Sequence, residues 1–275
     1  MSGMQKIIKC LAIAFAIFLT FNIISGIMYG ISFICNLFDN DKNSVIEKLT
    51  DLEINSDTLL LDIDVSSSNI IIKEGDIFKA ESNNKYISSR QDNNKLFITE
   101  RKHNWFNDNN NNNNNLIIYI PADYVMDAVL IDNGAGKVDI EALSTKELYL
   151  NLGAGKVDIN NLNVLEKTKI DGGAGELTIN ALDIHNLDLS MGIGKLSLTS
   201  KLLGNSKIDC GVGEMNLSLI GSLEDYEISL DKGVGNATID GVDMKDNNTY
   251  GMGINEIDID GGIGSIDITF ESLRR

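Results

Sequence analysis

The chain has 275 residues, a formal net charge of −17, 25 glycines and a single proline. So acidic a surface excludes nucleic acid and an anionic bilayer face as partners. Abundant Gly, Asn and Asp among evenly spread Ile, Leu and Val describe many short strands joined by tight turns.

The N-terminal segment comes first. Residues 1–9 carry Lys6 and Lys9, residues 10–38 (CLAIAFAIFLTFNIISGIMYGISFICNLF) hold no charge in 29 positions, and Asp39 and Asp41 follow at once. About 20 helical residues cross a bilayer, so the run predicts one transmembrane helix over 10–38. The positive-inside rule then puts residues 1–9 in the cytoplasm and the rest outside, with a linker over 39–55. A cleaved signal peptide is the competing reading. It needs a shorter apolar region ending in small residues, for which Ser25 and Gly26 are a poor match. The expected location is the cell membrane, single-pass, with the body of the chain extracytoplasmic. Cys10 and Cys35 flank the apolar run, so only Cys210 falls in that body. One cysteine makes neither an internal disulfide nor a cysteine-based zinc site.

The stretch LLLDIDVSSSNIIIKEG (59–75) then shows two alternating runs, Leu59, Leu61, Ile63 and Val65 before Ser66–Ser68 and Ile70 and Ile72 after them. Strand-like runs follow in KLFITE (95–100), LIIYIP (116–121) and VMDAVLI (125–131). The Asn run at 107–115 reads as a hairpin loop between the first two.

From residue 134 a pattern repeats. Gly-x-Gly recurs at Gly134, Gly153, Gly173, Gly192, Gly211, Gly233 and Gly262, with spacings of 19, 20, 19, 19, 22 and 29 residues. Mostly apolar residues stand five and three positions before the pairs (Leu148 and Leu150, Ile257 and Ile259), and apolar residues again two and four after them (Val157 and Ile159, Ile266 and Ile268). These are two period-2 strands joined at a glycine corner. Extending the first strand's alternation puts the middle residue, Ala154 in the second repeat, in the core and the next strand out of phase. The chain therefore bends or bulges there, which glycine permits. Leu143, Leu162, Leu182 and Val242 are expected to close the following turn. One such coil cannot bury its apolar face alone, whereas stacked coils share a core. The predicted fold is all-β: a single-stack β-solenoid (β-helix-like) of about 20-residue coils over residues 56–270, preceded by the helix and followed by a charged tail, 271–275. About eight coils would make a rod on the order of 35–40 Å long. Residues 59–75 read as a degenerate first coil, and KDNNTYGMGIN (245–255) as a loop bulging from one coil. SIDITF (265–270) reads as the last strand, its open edge blunted by the charges of ESLRR.

The repeat decides how GAGK (153–156) is read. A P-loop needs G-x-x-x-x-G-K-S/T opening a helix; here Leu150 stands for the first Gly, Val157 for the Ser/Thr, and a strand pattern follows. Nucleotide is not expected, nor any other cofactor. GGAGELTIN (172–180) and GGIGSIDIT (261–269) resemble calcium-binding nonapeptides, but Leu177 and Ile266 stand where the ligating Asp belongs. His103 and His185 have no partners at metal spacing, and no nucleophile elbow or Cys–His pairing occurs, so no enzyme activity is expected.

Two outward columns remain. Two residues before each pair stand Asp132, Asn151, Asp171, Ser190, Asp209, Asp231 and Asp260. The column reads as a solvated face, with a weak divalent-cation site along Asp209, Asp231 and Asp260 as the sharper alternative. One residue after each pair stand Lys137, Lys156, Glu176, Lys195, Glu214, Asn236 and Ser265. Signs alternate from Lys156 to Glu214, which predicts an ion-pair ladder that sets register.

The membrane segment, the LxLDIDxSSSNIxIxEG coil, Ile120-Pro121 and the repeated G-A-G-K/E-V/L-x-I rungs together resemble the bacterial "putative adhesin" domain family of unknown function, found in LiaG-like and YvlB-like envelope proteins. The likeness covers about residues 50–270. It implies a membrane-tethered β-solenoid of the cell envelope and carries no established catalytic or binding residues. The expected role is a non-enzymatic, adhesin-like binding or scaffold module, with an envelope protein or a surface glycan as partner. The alternative is an accessory or regulatory protein of an envelope-stress signalling system.

Overall fold

In a computed structural model the described residues are 49–55, 57–101 and 114–272. The helix expected over 10–38, Cys10 and Cys35, His103, and the Asn run up to residue 113 lie outside them. Among the described residues no helix is long and apolar enough to cross a membrane.

A single sheet runs through the domain. In chain order, β1 (Thr50–Asp51) is followed by β2 (Leu60–Val65) and β3 (Asn69–Glu74), which flank the serine corner. Then come β4 (Lys79–Ser82), β5 (Ile87–Asp92), β6 (Lys95–Glu100) and β7 (Asn115–Ile120). The long strands β8 (Val125–Ile140), β9 (Leu143–His185), β10 (Leu187–Leu203) and β11 (Asn205–Ile220) pass through the glycine corners unbroken. The chain ends with β12 (Tyr226–Asp231), β13 (Val234–Ile239), β14 (Val242–Asp243), β15 (Asn248–Gly251) and β16 (Asn255–Glu271).

Equivalent repeat positions meet in parallel register, as the period requires. Gly136 faces Gly155, Gly194 faces both Gly175 and Gly213, and Gly213 faces Gly264. Leu148, Leu150, Val157 and Ile159 are buried, and so are their counterparts in the neighbouring rungs. The apolar columns thus fill one continuous core. Thr168 and Ser206 replace aliphatic residues in these columns, and their hydroxyls have no hydrogen-bond partner among the described residues.

The second glycine of each corner has φ between +135° and +157°. This is a region that L side chains rarely adopt. Sterics reinforce the choice, because a Cβ on Gly155 would overlap the Gly136 carbonyl oxygen and one on Gly213 that of Gly194. Each glycine corner is pressed onto the one stacked on its β1 side.

Four expectations need correction. The middle residue of the corner does not fill the core: Ala154 is only half-buried, while the position before the first glycine turns inward, at Met191 and Cys210. The bend at the corner shifts the alternation by one residue. Leu143 and Leu162 close their turns as expected, but Leu182 and Val242 are 64% and 67% exposed. In the Leu182 coil, Ala181 and Ile184 take the buried positions instead. The stretch 245–255 is more than a loop, since it contains β15, antiparallel to β12.

The fourth correction concerns stacking order. The last strand is not at an edge. β16 lies between β11 on one side and β12 and β13 on the other. The coil at 59–75 is likewise not outermost, because β6 stacks outside β2 and β7 outside β3. At both ends the chain lays down an outer rung and caps it with antiparallel strands: β5 on β6 and β4 on β7, then β15 on β12 and β14 on β13.

Candidate functional site

Rung register decides which side chains share a surface. On the face preceding the corners, the outward column runs Asp64, Asp132, Asn151 along one half of the stack. Along the other half it runs Asp171, Ser190, Asp209, Asp260, Asp231. The neutral members do more than separate charges. Asn151 Nδ2 donates to Asp132 Oδ2 at 3.2 Å, and Ser190 Oγ donates to Asp171 Oδ1 at 2.8 Å.

Asp209, Asp231 and Asp260 do stand in consecutive rungs, with Asp260 in the middle because β16 is inserted there. Lys207 Nζ lies 2.9 Å from Asp209 Oδ2, and the Gly233 N–H donates to Asp231 Oδ1 at 3.1 Å. Among the described residues no group of three or more His, Cys, Asp or Glu is arranged to hold a metal ion.

The column two residues further from the corner supplies a feature that the sequence reading missed. Asp62 is followed by Leu130 and Tyr149, and Lys169 stands next to Asp188. Where this column meets the first, a groove of about 300 Å³ is lined by Asp62, Asp64, Leu130, Asp132, Tyr149, Asn151, Lys169 and Asp171. Burial raises the Asp62 carboxyl above its ordinary value, helped by the charges of Asp64 and Asp132. The Tyr149 hydroxyl donates to Glu147 at 2.9 Å, a bond that raises its pKa, and Lys167 Nζ sits 5.6 Å from the ring centroid. Leu130 and the Tyr149 ring give the groove an apolar floor, while the carboxylates and the Asn151 amide supply hydrogen-bonding edges. That combination suits a polar ligand with flat apolar patches. The signal was present in the sequence: among the glycine repeats Tyr149 is the one aromatic residue four positions before the corner, while the column's other aromatic, Phe97, stands beside Asp62 in β6.

On the face after the corners the expected ladder forms as two separate ion pairs. Lys156 reaches Glu176 at 3.8 Å, and Lys195 reaches Glu214 at 3.5 Å. The like-charged neighbours Lys137 and Lys156 share Asp158, at 3.5 and 3.8 Å, and Lys137 also binds Asp139 at 3.0 Å. GAGK is thus one rung of a ladder with strand on both sides. Gly155 packs against its neighbour's backbone, where a phosphate loop would leave room for the anion.

The family model described as Toastrack DUF4097 matches residues 43–261 of this chain. Among solved structures, a "putative cell adhesion protein" from Clostridium sporogenes ATCC 15579 is 16% identical, with 82% of this chain and 99% of that one covered and a TM-score of 0.33. A "putative adhesin" from Bacteroides fragilis NCTC 9343 is 15% identical, with 81% and 97% covered and a TM-score of 0.41. No curated protein matches the chain.

Proposed function

The chain belongs to the Toastrack DUF4097 family, and from that premise we propose that it is a non-enzymatic, adhesin-like binding module held on the outside of a bacterial cell membrane. The groove around Tyr149 carries this reading. It joins an apolar floor to hydrogen-bonding edges on a rigid, continuous sheet and holds no activated nucleophile. Its ligand class is a hydroxyl-rich surface glycan, whose ring faces would lie on Tyr149 and whose hydroxyls would donate to Asp62, Asp64 and Asp132. The uncharged run over 10–38 supports the anchor.

Glycan-array screening of the protein, followed by titration of the best hit, tests the proposal. Tyr149→Ala should weaken binding by about tenfold, the range of a lost aromatic contact. Affinity unchanged in that variant would sink the groove as the site. Removing residues 1–38 separates the module from a signalling accessory: a binding module keeps its affinity, whereas an accessory acting through the membrane segment loses its effect. Protease protection in intact cells checks the sidedness.

A further inference from the structure

The end of the stack opposite β1 exposes an uncharged sheet edge. β15 is the terminal strand of the sheet path, bonded to β12 on one side. Residues 247–255 (NNTYGMGIN), which contain it, carry no charge at all in a chain of net charge −17. Natural edge strands are usually guarded by charge, brevity or cover, and this one has only its brevity.

Next to the strand, Met252 is 93% exposed and Ile254 is 90% exposed. Neither can fold inward by a small shift. A Cβ on Gly251 would overlap the Tyr226 carbonyl oxygen, and one on Gly253 the Asp225–Tyr226 peptide, so this backbone is already pressed onto the rung beneath. Leu223, whose side chain lies against Gly251, is itself partly exposed.

We infer that this edge is a homophilic interface, where β15 of one copy pairs antiparallel with β15 of a second copy about a two-fold axis. The occupant follows from charge. Two molecules of charge −17 repel across most of their surfaces, and an uncharged edge is where they can meet without opposing like charges. A two-fold antiparallel pair also sets a strand against itself, so it requires a self-complementary sequence. Centred on the exposed Thr249, it stacks Thr against Thr, a favourable cross-strand pair, and sets Asn248 opposite Tyr250, Asn247 opposite Gly251 and Asp246 opposite Met252, so that no like charges are opposed.

Such pairing reverses the stacking direction, so the β1 ends of the two copies point away from each other. Given the anchored reading above, the pair would join chains held on two facing membranes. The pairing itself does not depend on that reading, and the experiment is indifferent to it.

The test measures the mass of the full-length chain in detergent by sedimentation velocity, at concentrations up to about 100 µM. A monomer–dimer equilibrium is expected, with the dimer favoured as salt rises, because salt screens the repulsion between the copies. Thr249→Lys sets two like charges opposite each other and should weaken the dimer by about tenfold or more, with circular dichroism and melting unchanged. Should that variant misfold, Met252→Ser with Ile254→Ser takes its place, since both side chains lie in solvent and their loss spares the fold. A chain that stays monomeric throughout overturns the inference. So does a dimer that withstands the substitutions, which would place the contact elsewhere, including in the N-terminal segment.

Discussion

The two ends of the solenoid face the same physical problem and solve it with different chemistry. At the β1 end a polar network closes the last corner. Glu100 Oε2 accepts from the Ser66 N–H at 2.8 Å and the Ser67 N–H at 3.3 Å, and Asn84 Nδ2 donates to Glu100 Oε1 and to Ser68 Oγ, both at 3.0 Å. The edges there are charged or covered. Lys79 pairs with Asp51 at 3.0 Å and with Glu81, and Ser89 and Gln91 of β5 bond to the passing segment at Glu53 and Asn55. The opposite end is closed by aromatic packing. Tyr226 is fully buried with its ring 6.0 Å from that of Phe270, and its hydroxyl donates to the Ile220 carbonyl at 2.6 Å. Its edge strand carries no charge. A closed, charged edge resists further pairing, whereas an apolar and uncharged one invites it. One end of the stack is guarded by charge and the other is not.

The corners sharpen the contrast between interior and end. Interior glycines are fixed by the rung on their β1 side, but Ser66–Ser68 occupy the same positions in the rung of β2 and β3. There the outer strands β6 and β7 are separated by residues 101–114 and do not continue as one glycine corner. The gradient is visible one rung in, where a Cβ on Gly136 would stand 3.0 Å from the Ser68 carbonyl oxygen rather than inside it. Gly213→Ala should therefore cost more than about 3 kcal/mol or prevent folding, combining overlap with a forbidden φ. Gly136→Ala should cost distinctly less in the same urea titration. Equal costs would show that the backbone conformation alone demands glycine and that stacking does not. Ile159→Lys serves as the core control: it buries an unpaired charge at a position with 0% exposure and should unfold the neighbouring rungs.

Of this architecture, the rung was legible in the sequence and the order of the rungs was not. The glycine period, the apolar pairs and the alternation from Lys156 to Glu214 each follow from local spacing, and each recurs often enough to be unambiguous. Stacking order is different. The rungs of β13 and β16 present the same apolar pattern, so either could be outermost. The spacing of 29 residues between Gly233 and Gly262 signals an insertion without saying that it turns back. The inward turn at Met191 and Cys210 was misplaced for a related reason, because the alternation shows that a one-residue shift occurs at the corner but not which residue absorbs it. The groove needed register as well. Asp62 reaches Tyr149 only through β8, a relation between residues 87 positions apart that no local pattern carries.

At the polar end, Glu100→Ala strips the acceptor from two backbone N–H groups and from Asn84 in a buried setting. The expected loss is about 2–3 kcal/mol, the range for charged hydrogen bonds and orphaned donors. Chemical denaturation with hydrogen exchange at Ser66 and Ser67 checks it. A smaller loss confined to those amides would mean that the end frays without the stack noticing, and the network would then be a local clasp.

At the aromatic end the test is smaller in size but carries a pH signature. Tyr226→Phe removes one hydrogen bond and leaves the ring, so near neutral pH it should cost about 1 kcal/mol. Burial pushes the Tyr226 hydroxyl from 10.0 up to about 12. The sign follows from linkage: between those values the unfolded chain has released its proton while the folded chain still holds it. The folded state thus binds more protons, and stability falls as pH rises through that window. The phenylalanine variant has no proton there to lose. Its deficit should shrink as pH climbs from 10 towards 12 and then reverse, so the two melting curves cross. Curves that stay parallel over that range would mean that the hydroxyl titrates as freely as in the unfolded chain, and the closed aromatic end would have to be redrawn as an open one.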